Sequence, residues 1–471
     1  MATPSTPSWT DRRVMLLVAG TTFMEIFDGT ILAIAAPRMA HHFGVAPQQI
    51  AVAITAYLVT LAILIPLSGW LADRFGSRRV FVAGITLFTV ASGLCAGSQS
   101  LAALVALRVL QGVGGALMVP VGRMVVLRAT DRSGLVRAVA FLTWPALVAP
   151  VIAPVAGGAI TTYLSWRWIF LINVPLGIVA VSCALRLVPR SAGEIRGSLD
   201  WAGFVLSTTC LAGVVVAAAA LGSPRVDWVL VGVAGSAAAL SGVAAVRHLL
   251  TAPDPLLDLR VFRIDTFRMS HTSGSLFRCT IMAVPFLLPL LFEDGFGWSA
   301  VKSGAILLFL FVGNLTIKPL TTPILRLLGF RATLVSADVV SCVTMVLCGL
   351  IGAHTPLPAL AALLVVSGAA RSVGFTAYTT IAFADIEPEA MRHANTIAST
   401  AQQVAIGVGV ALGAVALRIG SWATPALGAG SATPAYRTAF LIVAALTLLA
   451  ALQAMRLRRD GGAALLPARA G

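Results

Sequence analysis

Two carboxylates stand inside MEIFDGTILAIAAP, residues 24–37, a run whose other side chains are almost all apolar. Glu25 and Asp28 are three residues apart, so on a helix they share one face. An acid at the centre of a bilayer costs roughly 2.5–3.5 kcal/mol on translocon scales. That face must therefore look into a polar cavity, onto a partner cation, or both. Two carboxylates this close disfavour double ionisation, which suits a pair that takes up and releases a proton. Arg108, within a later apolar run, is a counter-charge for them. Arg278 and Arg371 lie near the middle of two further apolar runs. Snorkelling is hard from there, so both are read as facing a cavity. Gln402 and Gln403 offer that cavity hydrogen bonds.

The elements that must position these residues are membrane spans. The chain has 471 residues, 58% hydrophobic and 11% charged, with mean hydropathy +0.94. A soluble protein carries about 25% charged residues. The fold class is an all-α polytopic membrane protein. Stretches long enough to cross a core of ~30 Å are 14–36, 50–72, 80–97, 101–127, 138–162, 168–188, 201–221, 228–249, 269–292, 300–325, 332–352, 357–384, 396–418 and 436–455, fourteen in all. Barrel strands would be about half as long and would alternate. The first stretch carries acids and no small-residue cleavage site, so it is read as a span and not as a removable leader.

Loop charge orients the spans. With the N-terminus in the cytoplasm, inside loops hold twenty-two Lys and Arg and outside loops hold six. The positive-inside rule then places both termini in the cytoplasm. The same asymmetry accounts for most of the net charge of +15, so no nucleic-acid partner is expected. The six cysteines lie in apolar segments without C-x-x-C spacing, and neither a disulfide nor a metal site is expected. Most loops are short and no G-x-x-x-x-G-K-[ST] occurs, so no ATPase is housed here. Work must draw on an ion gradient, with no cofactor.

An internal repeat organises the chain. PLSGWLADRFGSRR, 66–79, aligns with PLTTPILRLLGFRA, 319–332. Pro66 meets Pro319, Gly76 meets Gly329, Arg78 meets Arg331, and Asp73 is answered by Arg326. The division that follows is a six-helix bundle over 13–190, two additional helices over 191–264, a second six-helix bundle over 265–457, and a cytoplasmic tail over 458–471. Two bundles with two inserted helices are a transporter architecture.

GWLADRFGSRR, 69–79, with Gly69, Asp73, Arg74, Gly76 and Arg78, resembles the loop signature of the major facilitator superfamily. FDGTILAIAAP, 27–37, RVLQGVGGALMVP, 108–120, and WRWIFLINVPLG, 166–177, are similar to signatures of its fourteen-helix drug:proton antiporter branch. Within that branch the chain resembles multidrug resistance proteins of the MdtD type. APVAGG, 153–158, matches the fifth-helix antiporter signature at Pro154, Gly157 and Gly158 but has Ala153 where that signature has glycine.

The resemblance implies a proton-coupled exporter of drug-like small molecules working by alternating access, and not an enzyme. It implies proton coupling at Asp28, Glu25 and Arg108, and a gating loop at Gly69, Asp73, Arg74, Gly76 and Arg78. Pro150, Pro154, Gly157 and Gly158 take a conformational role in helix five. Gln111, Arg278, Arg371, Gln402 and Gln403 are assigned to the substrate cavity. Partners are the substrate, protons and the lipid bilayer. The site is a bacterial cytoplasmic membrane, and the chain is expected to be a monomer. Three deep arginines against two acids also suit an exporter of organic anions or anionic metal chelates. The competing class is a membrane-embedded lipid-modifying enzyme, whose metal-spaced acid clusters the sequence lacks.

Overall fold

Two of the apolar runs break just before a proline. The computed structural model describes residues 9–45, 47–130, 134–190, 198–222, 225–423, 433–458 and 460–465. All α-helices among them are α1 (Trp9–Phe43), α2 (Ala51–Phe75), α3 (Ser77–Ala96), α4 (Leu101–Ala129), α5 (Leu135–Tyr163), α6 (Trp168–Leu171), α7 (Asn173–Leu187), α8 (Trp201–Gly222), α9 (Trp228–Thr251), α10 (Asp265–Leu290), α11 (Ala300–Thr316), α12 (Lys318–Leu350), α13 (Leu357–Ile381), α14 (Met391–Ala423) and α15 (Thr433–Ala454). The run expected as a single helix over 168–188 is broken at Ile172. Pro175 has no N–H to give the carbonyl of Leu171, so the ladder fails there. The run expected over 300–325 breaks at Ile317 for the same reason, two residues before Pro319.

Twelve helices among the described residues are long and apolar enough to cross a membrane. Of the fourteen stretches read from the sequence, two fall outside that set. One is α5, a 29-residue helix with several side chains outside the described residues. The other is the shorter apolar α11, of 17 residues.

The helices gather into two units. The first comprises Met1–Gly213, Ala237–Leu259 and Glu387–Thr400, and the second comprises Val214–Ser236, Arg260–Ile386 and Ala401–Gly471. Within the first, α4 packs on α2 and α3, α1 on α5, and α7 on α3 and α1. Within the second, α13 packs on α11 and α12, and α15 on α12 and α10. In α14, Gly409 and Gly413 let the helix lie against Cys279 and Ala283 of α10. Matching α1, α2, α3, α4, α5 and α7 to α10, α11, α12, α13, α14 and α15 reproduces the same contacts, so both units follow one packing scheme.

Close backbone approach holds these pairs. A Cβ on Gly114 of α4 would lie 2.5 Å from the Phe88 nitrogen of α3. In the second unit a Cβ on Gly368 of α13 would lie 1.8 Å from the Leu310 carbonyl oxygen of α11. Small residues serve here because lipid gives helices no hydrophobic drive to associate, and contact must come from packing.

At the loops joining α2 to α3 and crossing α12, the aligned glycines do the same work. Gly76 has φ +90° and ψ 132°, and Gly329 has φ +76° and ψ 168°. Side chains rarely adopt such backbone, which costs about 1–3 kcal/mol elsewhere than at glycine. Gly329→Ala is expected to lower the apparent melting temperature of the detergent-purified protein, with Gly352→Ala, at a glycine with open space around its Cβ position, as the control that leaves it unchanged.

Candidate functional site

Asp28 of α1 is buried, and three other helices supply the groups around it. Arg108 Nη1 of α4 donates to Asp28 Oδ2, and at 2.6 Å to Gln111 Oε1. Gln111 Nε2 donates to Asp28 Oδ1 at 2.9 Å and to Ser92 Oγ of α3 at 2.6 Å. Asn173 Nδ2 of α7 donates to Asp28 Oδ1 at 2.9 Å and to Ser92 Oγ at 3.3 Å. The break between α6 and α7 places Asn173 at the start of α7, facing this carboxylate. Asp28, Arg108, Gln111, Ser92 and Asn173 are all at most 1% exposed. A buried pair is tolerable when its lone pairs and protons are satisfied, and Asp28 meets that condition on both oxygens.

Arg108 is less fully engaged. Its Nε and Nη2 find no hydrogen-bond partner among the described residues. Its guanidinium lies instead over the ring of Tyr57 from α2, 4.0 Å from the centroid, a cation–π contact. The Tyr57 hydroxyl also has no hydrogen-bond partner among the described residues. Glu25 is half-buried and forms no hydrogen bond or ion pair among the described residues. Gly115 of α4 makes room beside both, since a Cβ there would lie 3.4 Å from Tyr57 Oη and 3.8 Å from Glu25 Cγ. The two acids of the first helix thus differ: Asp28 is caged, and Glu25 is uncommitted.

A second cluster surrounds the loop after α2. Asp73 takes Arg128 Nη1 from the end of α4 at 3.1 Å and Arg392 Nε from the first turn of α14 at 3.2 Å. Gly69, one turn earlier on α2, sits against that same turn: a Cβ would lie 2.6 Å from Thr396 Oγ1 and 3.2 Å from Arg392 Cγ. Asn395 Nδ2 donates to the Pro120 carbonyl of α4 at 3.0 Å. Arg78 donates to the Leu185 carbonyl of α7, so it braces a helix end rather than pairing with an acid. Arg74 is exposed.

The sequence profile described as Major Facilitator Superfamily matches residues 18–410 and 272–469. The chain belongs to the major facilitator superfamily. It is a multi-pass membrane transporter of small molecules and not an enzyme. A relative in Cronobacter sakazakii, provisionally named multidrug resistance protein MdtD, is 32% identical over 94% of this chain and 94% of its own. One of the same name in Serratia proteamaculans is 33% identical, over 94% and 92%. Among solved structures, the human organic anion transporter MFSD10 (TETRAN) aligns with TM-score 0.66 and 15% identity, over 96% of this chain and 100% of that one. The proton:xylose symporter XylE aligns with TM-score 0.63 and 15% identity, over 95% of each. At that identity the two structures speak to the facilitator fold alone.

The remaining sequence-predicted residues are placed as follows. Gln111, assigned from the sequence to the substrate cavity, has its amide engaged in the Asp28 network. Arg278 and Arg371 are 6% and 5% exposed. Arg278 Nη1 donates to the Ser270 carbonyl at 3.1 Å, while its Nε, and Nε and Nη1 of Arg371, have no hydrogen-bond partner among the described residues. Gln402 and Gln403 are half-buried on α14. Helix α5 runs through Pro150, Pro154, Gly157 and Gly158, with Gly157 buried; the side chains of Pro150 and Pro154, and the surroundings of Gly158, lie outside the described residues. Sequence reasoning missed Ser92, Asn173, Arg128 and Arg392, whose polarity is unremarkable until the helices pack. It also missed Asp338 of α12, buried at 0% exposure. An acid alone in an apolar run was the signal for Asp338, the same one that singled out Glu25 and Asp28.

Two outcomes follow for this facilitator. Arg108→Gln strands Asp28 as an uncompensated charge, which costs about 3–5 kcal/mol for a buried pair. Thermal unfolding should therefore find Arg108→Gln less stable than the double variant Asp28→Asn/Arg108→Gln. Gly69→Ala drives a methyl group into Thr396, so transport in vesicles should fall several-fold and recover in Gly69→Ala/Thr396→Ala.

Proposed function

We propose that this facilitator exports drug-like small molecules in exchange for protons by alternating access. The observation that carries the reading is the buried Asp28–Arg108 pair with the uncommitted Glu25 one turn away on the same helix. Glu25 takes the incoming proton, and Asp28 holds Arg108 until that charge changes. Gln111 belongs to this coupling network. One elementary charge crossing 100 mV releases ~2.3 kcal/mol. At ~1.4 kcal/mol per decade, one proton sustains roughly a fiftyfold substrate gradient. The proton gradient is the energy source and no cofactor is needed.

An apolar cleft of about 780 Å³ opens beside α1, α5 and α7. Leu16, Phe23, Met24, Trp144 and Leu176 line it, together with Arg13 and Arg186. Its size is that of a small-molecule site, and its exposed apolar walls suit a lipophile arriving from the bilayer. The names of the MdtD relatives support the same substrate class.

The remaining assignments complete the reading. All fourteen sequence-predicted stretches cross the membrane, with both termini cytoplasmic and the twenty-two-to-six charge asymmetry behind the orientation. The bundles span 13–190 and 265–457, the inserted helices 191–264 and the tail 458–471. Gly69, Asp73, Arg74, Gly76 and Arg78 form the cytoplasmic gate, in which Asp73 latches Arg128 and Arg392. Pro150, Pro154, Gly157 and Gly158 let α5 bend. Gln402 and Gln403 contact substrate. The protein works as a monomer in a bacterial cytoplasmic membrane.

A second reading keeps the coupling and changes the cargo to an organic anion or an anionic chelate. It is favoured by the buried, incompletely satisfied guanidinium groups of Arg278 and Arg371. One experiment addresses both. Proteoliposomes carrying an internal pH dye are given cationic drugs or organic acids. Cationic drugs should move protons in wild type and not in Asp28→Asn or Glu25→Gln. Movement with organic acids alone, lost in Arg278→Ala and Arg371→Ala, would replace the drug reading with the anion reading.

A further inference from the structure

The second unit holds a chain of three short polar contacts far from the first helix in sequence. Asp338 Oδ2 of α12 lies 2.7 Å from Tyr378 Oη of α13. Tyr378 Oη lies 2.6 Å from Ser273 Oγ of α10. Ser273 Oγ lies 2.7 Å from the Ala450 carbonyl oxygen of α15. Asp338, Tyr378 and Ser273 are each at 0% exposure. Helix packing fixes the phenol in place: Gly274 has no Cβ where one would sit 2.7 Å from Tyr378 Cδ1, and the Phe277 ring centroid is 5.5 Å away.

Three contacts at hydrogen-bond distance need three protons. The Tyr378 and Ser273 hydroxyls carry one each, and the Ala450 carbonyl carries none. With Asp338 ionised the chain is one proton short, and two oxygens would face each other at hydrogen-bond distance with nothing between them. With Asp338 neutral the count closes: its O–H donates to Tyr378, Tyr378 donates to Ser273, and Ser273 donates to the Ala450 carbonyl. Asp338 Oδ1 has no partner among the described residues, which a neutral carbonyl oxygen tolerates far better than half of a buried anion.

Among the described residues no cation pairs with Asp338, and Arg278 interacts by charge with its relay phenol, Tyr378. Among ionisable groups on the helices packed against α12, Tyr378 is the one in contact with it among the described residues. Arg278 of α10 donates to the Ser270 carbonyl, and Arg371 of α13 interacts with Cys348 further along α12. Lys302 of α11 lies over the Trp298 ring, and Tyr436 of α15 bonds Asp294. We propose that Asp338, with Tyr378 and Ser273 as its relay, is a second proton-binding site, built into the second unit. Its existence does not depend on what the transporter carries. The exported substrate decides only what the second proton is used for.

The test reads the carboxyl directly and needs no substrate. Infrared difference spectra of the protein in lipid nanodiscs are recorded between mildly acid and mildly alkaline buffer. The expected result is a neutral-acid carbonyl band that fades on the alkaline side. That band is absent in Asp338→Asn and moves to higher frequency in Tyr378→Phe, where the acid loses its acceptor. If Asp338→Asn does not fold, the band shift in Tyr378→Phe alone makes the assignment. Carboxylate absorption from Asp338 throughout, or an acid band from it that never titrates, would overturn the proposal. A negative transport assay with this band present would instead count against the export reading.

Discussion

The whole first unit is arranged around one constraint: an acid within a lipid-spanning helix must have its charge answered inside the protein. Asp28 meets it through Arg108, Gln111 and Asn173, which come from two helices other than its own, with Ser92 of a third tying the amides together. The requirement reaches into the backbone. Pro175 breaks the ladder between α6 and α7, and Asn173, the first residue of α7, donates to the carboxylate. Glycines of α4 then bring α2 and α3 close enough for the network to close.

The two units share a scaffold and differ in their chemistry. Equivalent helices make equivalent contacts in each. The buried acid, however, sits on α1 in the first unit and on α12, the counterpart of α3, in the second. The first acid is met by a guanidinium and the second by a phenol, which a serine backs. A repeat of this kind conserves the packing of small residues, which is a backbone property. The polar side chains within the frame are then free to diverge, provided each buried group is satisfied.

The loop signature after α2 has a physical meaning at each place. Gly69 is the gap into which the first turn of α14 fits, and Gly76 takes backbone that side chains disfavour. Asp73 joins the ends of two helices through Arg128 and Arg392, and Arg78 closes the end of α7. Arg128 and Arg392 stand 55 and 319 residues from Asp73 in the chain, and nothing in the local sequence of Asp73 names them.

Composition, span length and glycine placement by themselves determined that this chain is a helical membrane protein and that it is built on a repeat, and they singled out Glu25, Asp28 and Arg108 as charges in apolar runs. Those signals are local: hydropathy is summed over a window, and a charge in lipid is conspicuous wherever it occurs. Only the tertiary structure decided that Gln111 joins Asp28, that Asn173 and Ser92 complete the cage, that Glu25 is left uncommitted and that Asp338 has a phenol for its partner. Hydrogen bonds between side chains depend on which helix faces approach and at what register. That is set by packing among helices far apart in sequence, so no window of the chain contains it.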